Sequence, residues 1–173
     1  MKILTLVGDI YEDLELWYPK LRLIEAGAQV VVAGEQAGVK YAGKHSYPCT
    51  SDAAYAEQRA ADFDGLVVPG GFMPDKLRRD PALLQLVRDF HQQGKLIAAI
   101  CHGPWVLISA GITRGRKMTA YWSIEADLRN SGADYQHKVP VVVDGNFITS
   151  PHYANNSDFM KAVVAHVERL QAG

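Results

Sequence analysis

Short apolar runs alternate along the chain with stretches whose apolar residues recur at helical spacing. That alternation predicts an α/β fold, a three-layer sandwich with a mostly parallel sheet and helices on both faces. The runs Ile3–Val7, Val30–Ala33, Gly65–Val68, Leu96–Ile100, Val141–Val143 and Phe147–Thr149 read as strands, with Lys117–Ala120 a weaker candidate. Several are continuously apolar, as strands buried on both faces are. Helices are predicted over Leu14–Glu25, Pro81–Gln92, Pro104–Ala110, Ile124–Ser131 and Asp158–Gln171. Gly27, Gly94 and Gly111 stand where the first three of these should end. Pro19 predicts a bend in the first helix, or marks its true first turn. Asp144-Gly145 between two apolar runs predicts a hairpin, and so one antiparallel pair late in the sheet. The stretch from Glu35 to Ala61 is less regular, with a small extra hairpin expected around Val39–Tyr47. No repeat or low-complexity linker interrupts the chain, and 173 residues suit a single domain over 1–173.

Charge narrows the partners. The chain carries 18 basic and 19 acidic residues, spread without a basic block or an acidic tail, so neither nucleic acid nor an anionic membrane is an expected partner. The opening MKILTLVGD is too short and too quickly polar for a secretory or membrane segment, and reads as the first strand. Cys49 and Cys101 occupy dissimilar contexts and do not make a disulfide scaffold, which leads to a cytoplasmic expectation.

The chemistry concentrates where strands end. In LIAAICHGPWVLISA a strand stops at Cys101 and Gly-Pro opens a helix, the layout of a nucleophile elbow. The N-terminus of that helix favours thiolate over thiol, so a lowered Cys101 pKa is expected. A buried, inert cysteine is the competing reading, and the adjoining His-Gly-Pro weighs against it. His102 is a candidate base, although adjacent residues on an elbow diverge and its ring is expected to point elsewhere than at its neighbour's sulfur. Open α/β sheets place their sites at the carboxyl ends of strands. There the topology gathers Asp9–Glu15, Pro69-Gly70-Gly71, Cys101-His102 and Ser150–Asn156. Asp9, Glu12, Asp13 and Glu15 all compete as a carboxyl beside the thiol, against the plainer role of acids in a first helical turn. A carboxyl buried there would be held neutral by desolvation and by the neighbouring charge. Gly70 and Gly71 let backbone approach a ligand, and their amides with that of His102 could hold an oxyanion. His152 is a further polar candidate. His45, His91, His137 and His166 are scattered without ligand spacing, so no metal is expected.

The segments GDIYEDLELWYP, VVPGG, AAICHGPWVLISAG, GRKMTAY and VVVDGNFITS, in that order and spacing, resemble the ThiJ/PfpI family, with its class I glutamine-amidotransferase-like, flavodoxin-like fold. The resemblance runs from the first strand to the last helix. It implies that Cys101 is the nucleophile, Glu12 the protonated carboxyl hydrogen-bonded to it, and the amides of Gly71 and His102 the oxyanion site. In the PfpI branch an acidic residue from a neighbouring subunit orients the histidine. Asp75 in PGGFMPDKLR matches that position, so a homo-oligomer, a dimer or larger, is implied. Two departures alter the pocket rim: Phe72 stands where PfpI-like sequences often have arginine, and SPHYANNSDF replaces their S-R-x-P-x-D-L run. The GDxxEDxE opening is similar to the branch that includes plant-type glyoxalase III members, and His152 and Tyr121 are placed at the altered rim.

Three functions follow from the resemblance. The leading one is a stress enzyme of the glyoxalase III or deglycase type. It would act on small reactive aldehydes or on glycated proteins and peptides through a Cys101 hemithioacetal, with no cofactor: no metal, glutathione or nicotinamide. The alternative is an intracellular cysteine peptidase with an intersubunit Cys-His-acid triad. The third is a redox-sensing protein in which Glu12 stabilises oxidised Cys101. A glutamine amidotransferase would need a histidine and glutamate in an H-x-E arrangement near the C-terminus. His166-Val167-Glu168 has that spelling but falls on the closing helix. A DNA-binding regulator on this fold would need an appended module, which is not expected here.

Overall fold

The computed structural model describes residues 1–172. Its strands are β1 (Lys2–Leu6), β2 (Gln29–Gly34), β3 (Lys40–Ala42), β4 (Pro48–Thr50), β5 (Ala53–Ala54), β6 (Gly65–Val68), β7 (Leu96–Ile100), β8 (Lys117–Met118), β9 (Asp134–Tyr135), β10 (Val142–Asp144) and β11 (Phe147–Ser150). Its α-helices are α1 (Asp13–Glu25), α2 (Met73–Leu77), α3 (Pro81–Gln92), α4 (Pro104–Ala110), α5 (Glu125–Asn130) and α6 (Asn156–Ala172). Seven strands form the central sheet in the order β10-β11-β7-β6-β1-β2-β5. All neighbours are parallel except β10 and β11, which the Asp144-Gly145 turn joins as an antiparallel pair.

Strand periodicity of two sorts side chains between two cores. Along β7, Leu96, Ala98 and Ile100 join Phe159, Met160 and Val163 of α6 on one face. Ile97 and Ala99 face Leu83, Leu86, Phe90 and Leu107 of α3 and α4 on the other. All five β7 residues are buried, which explains the unbroken apolar run. Among the described residues no helix is long and apolar enough to cross a membrane.

Several elements depart from expectation. The helix at Pro19 runs unbroken from Asp13 to Glu25 with Pro19 buried inside it. The Lys117–Ala120 run pairs only over Lys117–Met118, in parallel with Asp134–Tyr135 and outside the central sheet. The extra hairpin pairs Lys40–Ala42 with Pro48–Thr50, so its second strand begins beyond Tyr47. Asp13 sets that turn, its carboxylate accepting the backbone N–H groups of His45 at 2.8 Å and Tyr47 at 3.0 Å. Gly43 packs against the same carboxylate so closely that a Cβ would collide with it. Cys49 is buried on β4.

Candidate active site

β1 lies between β2 and β6, so successive connections leave it in opposite directions and open a crevice at the carboxyl ends of the strands. Cys101 ends β7 there in a left-handed conformation, φ 59°, which a residue with a Cβ adopts only under constraint. Its N–H donates to Ser150 O at 2.9 Å, and its carbonyl accepts from Tyr121 N at 3.0 Å. Gly103 presses against the Val68 carbonyl where no Cβ would fit. Together these contacts hold the elbow and leave Sγ facing a cleft of about 330 Å³. Glu12, Glu15, Lys44, Cys101, His102 and Tyr121 line it, with Gly71, Phe72, Trp105, His152 and Tyr153.

The carboxyl beside the thiol belongs to Glu15, not to Glu12 as the resemblance implies. Glu12 is the N-cap of α1 with extended backbone (φ −75°, ψ 117°), and its carboxylate turns toward Lys44 Nζ at 3.8 Å. Glu15, in the first turn, reaches back beneath the helix. It is fully buried, its Oε2 accepts the Gly70 N–H at 2.9 Å, and its carboxyl lies beside the Cys101 side chain, both packed against Gly70. Burial, reinforced by the Glu12 charge, pushes the Glu15 pKa up to about 8. At neutral pH Glu15 is therefore largely a neutral acid, able to donate to sulfur.

The expected lowering of the Cys101 pKa is also corrected. Cys101 is only 7% exposed, and burial followed by the Glu15 charge drives its pKa upward. The N–H groups of Gly71 and His102, both directed at Sγ, pull the other way. These two amides are the pair assigned to the oxyanion site. Thiol and carboxyl compete for ionisation in one buried space, and a thiolate is best sustained while Glu15 keeps its proton.

The His102 ring does not diverge: its Nδ1 lies 3.1 Å from Cys101 Sγ. Burial, then the Lys44 charge, lowers its pKa, and Asp127 opposes them. Tyr121 stacks on the ring at 5.1 Å. His152 lines the same cleft 5.8 Å from Tyr121, its Nδ1 accepting the Ala154 N–H at 3.2 Å. Asp75 stands apart on α2, outside the cleft lining, and pairs with Arg79 one turn on. Within the chain the group next to His102 Nε2 is Ser123 Oγ at 3.1 Å, a residue for which the sequence carries no signal. Lys44 is likewise unforeseen, because only the Asp13-held turn brings it to the cleft. One ligand atom each of Glu12, Asp13 and His45 lie within 4.8 Å of one another. Both Asp13 oxygens already accept the hairpin's N–H groups, which accounts for that carboxylate structurally.

Gly70 is the tightest point of this arrangement. A Cβ there would collide with Glu15 Oε2 and lie 2.7 Å from Cys101 Cβ. Gly70→Ala is expected to displace the carboxyl from the thiol and to cost about 100-fold in thiol-dependent turnover. Steady-state kinetics check this, with circular dichroism as the control for folding.

Taken together, the parallel sheet, the strained Cys101 elbow and the buried carboxyl define a flavodoxin-like protein with a cysteine-centred site. Residues 1–166 match the DJ-1/PfpI family, and the chain belongs to that family. It is 42% identical over 165 residues to Deglycase PfpI of Pyrococcus furiosus, covering 93% of this chain and 98% of that one. It is 42% identical over 149 residues to a Bacillus subtilis protein with the provisional name of cysteine protease, YraA, covering 86% of this chain and 88% of that one. Among solved structures it superposes on a two-domain Anabaena variabilis protein with DJ-1/ThiJ/PfpI-like and ferritin-like domains, with TM-score 0.94 and 39% identity. That alignment covers 96% of this chain and 48% of the larger protein.

Proposed function

We propose that the protein is a cysteine-dependent enzyme of the deglycase type, acting on α-oxoaldehydes and on the early adducts they form with proteins and peptides. The observation that carries this reading is the surrounding of Cys101 Sγ: the buried Glu15 carboxyl, the backbone N–H groups of Gly71 and His102, and His102 Nδ1 at 3.1 Å. The deglycase name of the Pyrococcus relative supports it, and the cleft has the size of a small-molecule site.

In the proposed reaction His102 takes the thiol proton and sulfur attacks the aldehyde carbon. The carbonyl oxygen becomes an oxyanion beside the amides of Gly71 and His102 and is protonated to a hemithioacetal. Transfer of the carbon-bound proton to the adjacent carbonyl carbon through an enediol gives a thioester. Water releases a hydroxy acid and restores the thiol. For methylglyoxal the balance is one aldehyde and one water to one lactic acid, with no oxidant or reductant consumed. An adduct on an amine or thiol would be attacked at the same carbon, with the protein group leaving.

Peptidase action is the second reading, favoured by the same Cys101–His102 distance and by the provisional name of the Bacillus relative. One experiment separates the two. Reduced protein is incubated with methylglyoxal without glutathione, with lactate followed by chromatography, and in parallel with a fluorogenic peptide. Lactate formation lost in Cys101→Ser is the expected result. Peptide cleavage with lactate no higher than in the variant would overturn the carbonyl reading.

A further inference from the structure

His102 is held at both ring nitrogens by groups of its own chain, with Cys101 Sγ 3.1 Å from Nδ1 and Ser123 Oγ 3.1 Å from Nε2. Its faces and edges are occupied as well. Tyr121 stacks on it, and Trp105 meets it at 5.0 Å and 66°. Trp105 is itself fixed by donation from its indole N–H to Asp127 at 2.8 Å. Ser123 sits in the 3-10 turn Trp122–Ile124, which closes onto Tyr121 O through the Ile124 N–H at 3.0 Å. Tyr121 in turn donates its N–H to the Cys101 carbonyl. The hydroxyl is thus tethered to the same elbow that carries the thiol.

A neutral imidazole has one proton for two nitrogens, and the partner of one nitrogen decides what the other can do. With the proton on Nε2, the ring donates to Ser123 Oγ and turns the Nδ1 lone pair toward sulfur. When the S–H bond breaks, its electron pair stays on sulfur and the proton forms an N–H bond at Nδ1. The imidazolium still donates from Nε2 to the same oxygen, and that bond strengthens as the charge appears.

We propose that Ser123 is the positioning residue that holds His102 in its Nε2–H tautomer, leaving Nδ1 to take the Cys101 proton. The proposal rests on the reading of Cys101 as nucleophile. It differs from the arrangement implied by resemblance, in which Asp75 of a neighbouring copy supplies the orienting group. Here the orienting hydroxyl comes from the same chain. Other charged and titratable groups face the ring or share its cleft: Lys44 from the hairpin turn, Asp127 from α5, Glu12 and Glu15 from the start of α1, Tyr121, and His152 and Tyr153 after β11. None of these is altered by a change at Ser123.

The test is alkylation of Cys101 by iodoacetamide across pH, followed on the Cys101 peptide by mass spectrometry, together with ¹⁵N chemical shifts of the His102 ring. In Ser123→Ala, alkylation at neutral pH is expected to fall about tenfold, with a displaced pH profile and a mixture of ring tautomers. Ser123→Thr is expected to restore all three. An unchanged profile and tautomer in Ser123→Ala would overturn the proposal. So would a slowed reaction with the Nε2–H tautomer intact, or a silent Ser123→Ala combined with loss in Asp75→Asn. Alkylation needs no carbonyl substrate, so these outcomes stand apart from those of the methylglyoxal experiment.

Discussion

Cys101→Ser is expected to abolish lactate formation from methylglyoxal, a loss of at least about 1,000-fold, while the protein melts within about 2 °C of the wild type. The substitution changes one atom in a buried site and asks nothing new of the strained backbone, φ 59°. What it removes is the ionisable thiol that the proposed reaction uses as its nucleophile. A hydroxyl in the same surroundings faces the same desolvation and the same Glu15 carboxyl, from a far higher intrinsic pKa. The amides of Gly71 and His102 would still point at the oxygen, but with no anion for them to hold. Differential scanning calorimetry beside the lactate assay checks both halves of the expectation, since a large fall in melting temperature would attribute the lost activity to misfolding.

Glu15→Gln should separate stability from turnover. Glutamine can copy the protonated acid, its carbonyl oxygen accepting the Gly70 N–H that now reaches Oε2 at 2.9 Å while its amide donates toward sulfur. It cannot release or recover a proton. Turnover is expected to fall by about 100-fold or more. Stability should move the other way. The folded-state pKa of about 8 lies above the ordinary value of 4.5, so Glu15 favours the folded state fully only below the unfolded value. That contribution is lost as pH rises through the window between the two. At neutral pH the wild-type fold therefore carries a penalty that the neutral amide lacks. Glu15→Gln is expected to melt several degrees higher at pH 7, roughly the shift that about 3 kcal/mol produces, and to approach the wild type near pH 4. Melting curves at the two pH values measure this directly. Equal effects at both pH values would mean that Glu15 is ionised in the fold.

The sheet was largely legible because buried parallel strands leave runs such as Gly65–Val68 and Leu96–Ile100 that nothing else explains. Both match β6 and β7 end for end, as Pro81–Gln92 and Pro104–Ala110 match α3 and α4. Proline at the first helical position makes those starts visible. The shortest elements were not legible, α2 over Met73–Leu77, β5 over Ala53–Ala54 and β9 over Asp134–Tyr135, while β8 left only the weak run Lys117–Ala120. In the site, Cys101 stands out because a strand, a turn and a helix N-terminus meet at one residue. The partner carboxyl does not. In GDIYEDLE both glutamates sit at a helix start, and which one faces the elbow depends on where the N-cap falls. With the helix starting at Asp13, Glu12 is the cap and its buried carboxylate turns to Lys44, and Glu15 turns to Gly70 and the thiol. Ser123 and Lys44 arrive on turns set by long-range hydrogen bonds, and no local pattern announces them.

The central claim is that Cys101 sulfur bonds covalently to the carbonyl carbon before product forms. Glu15→Gln, incubated with ¹³C-labelled methylglyoxal and no glutathione, should accumulate that adduct. Mass spectrometry of the intact protein and its peptides is predicted to find one methylglyoxal equivalent, confined to Cys101 and absent from Cys101→Ser. Wild-type protein that forms lactate while Cys101 stays unmodified in every sample, or can be alkylated without losing activity, would contradict the account.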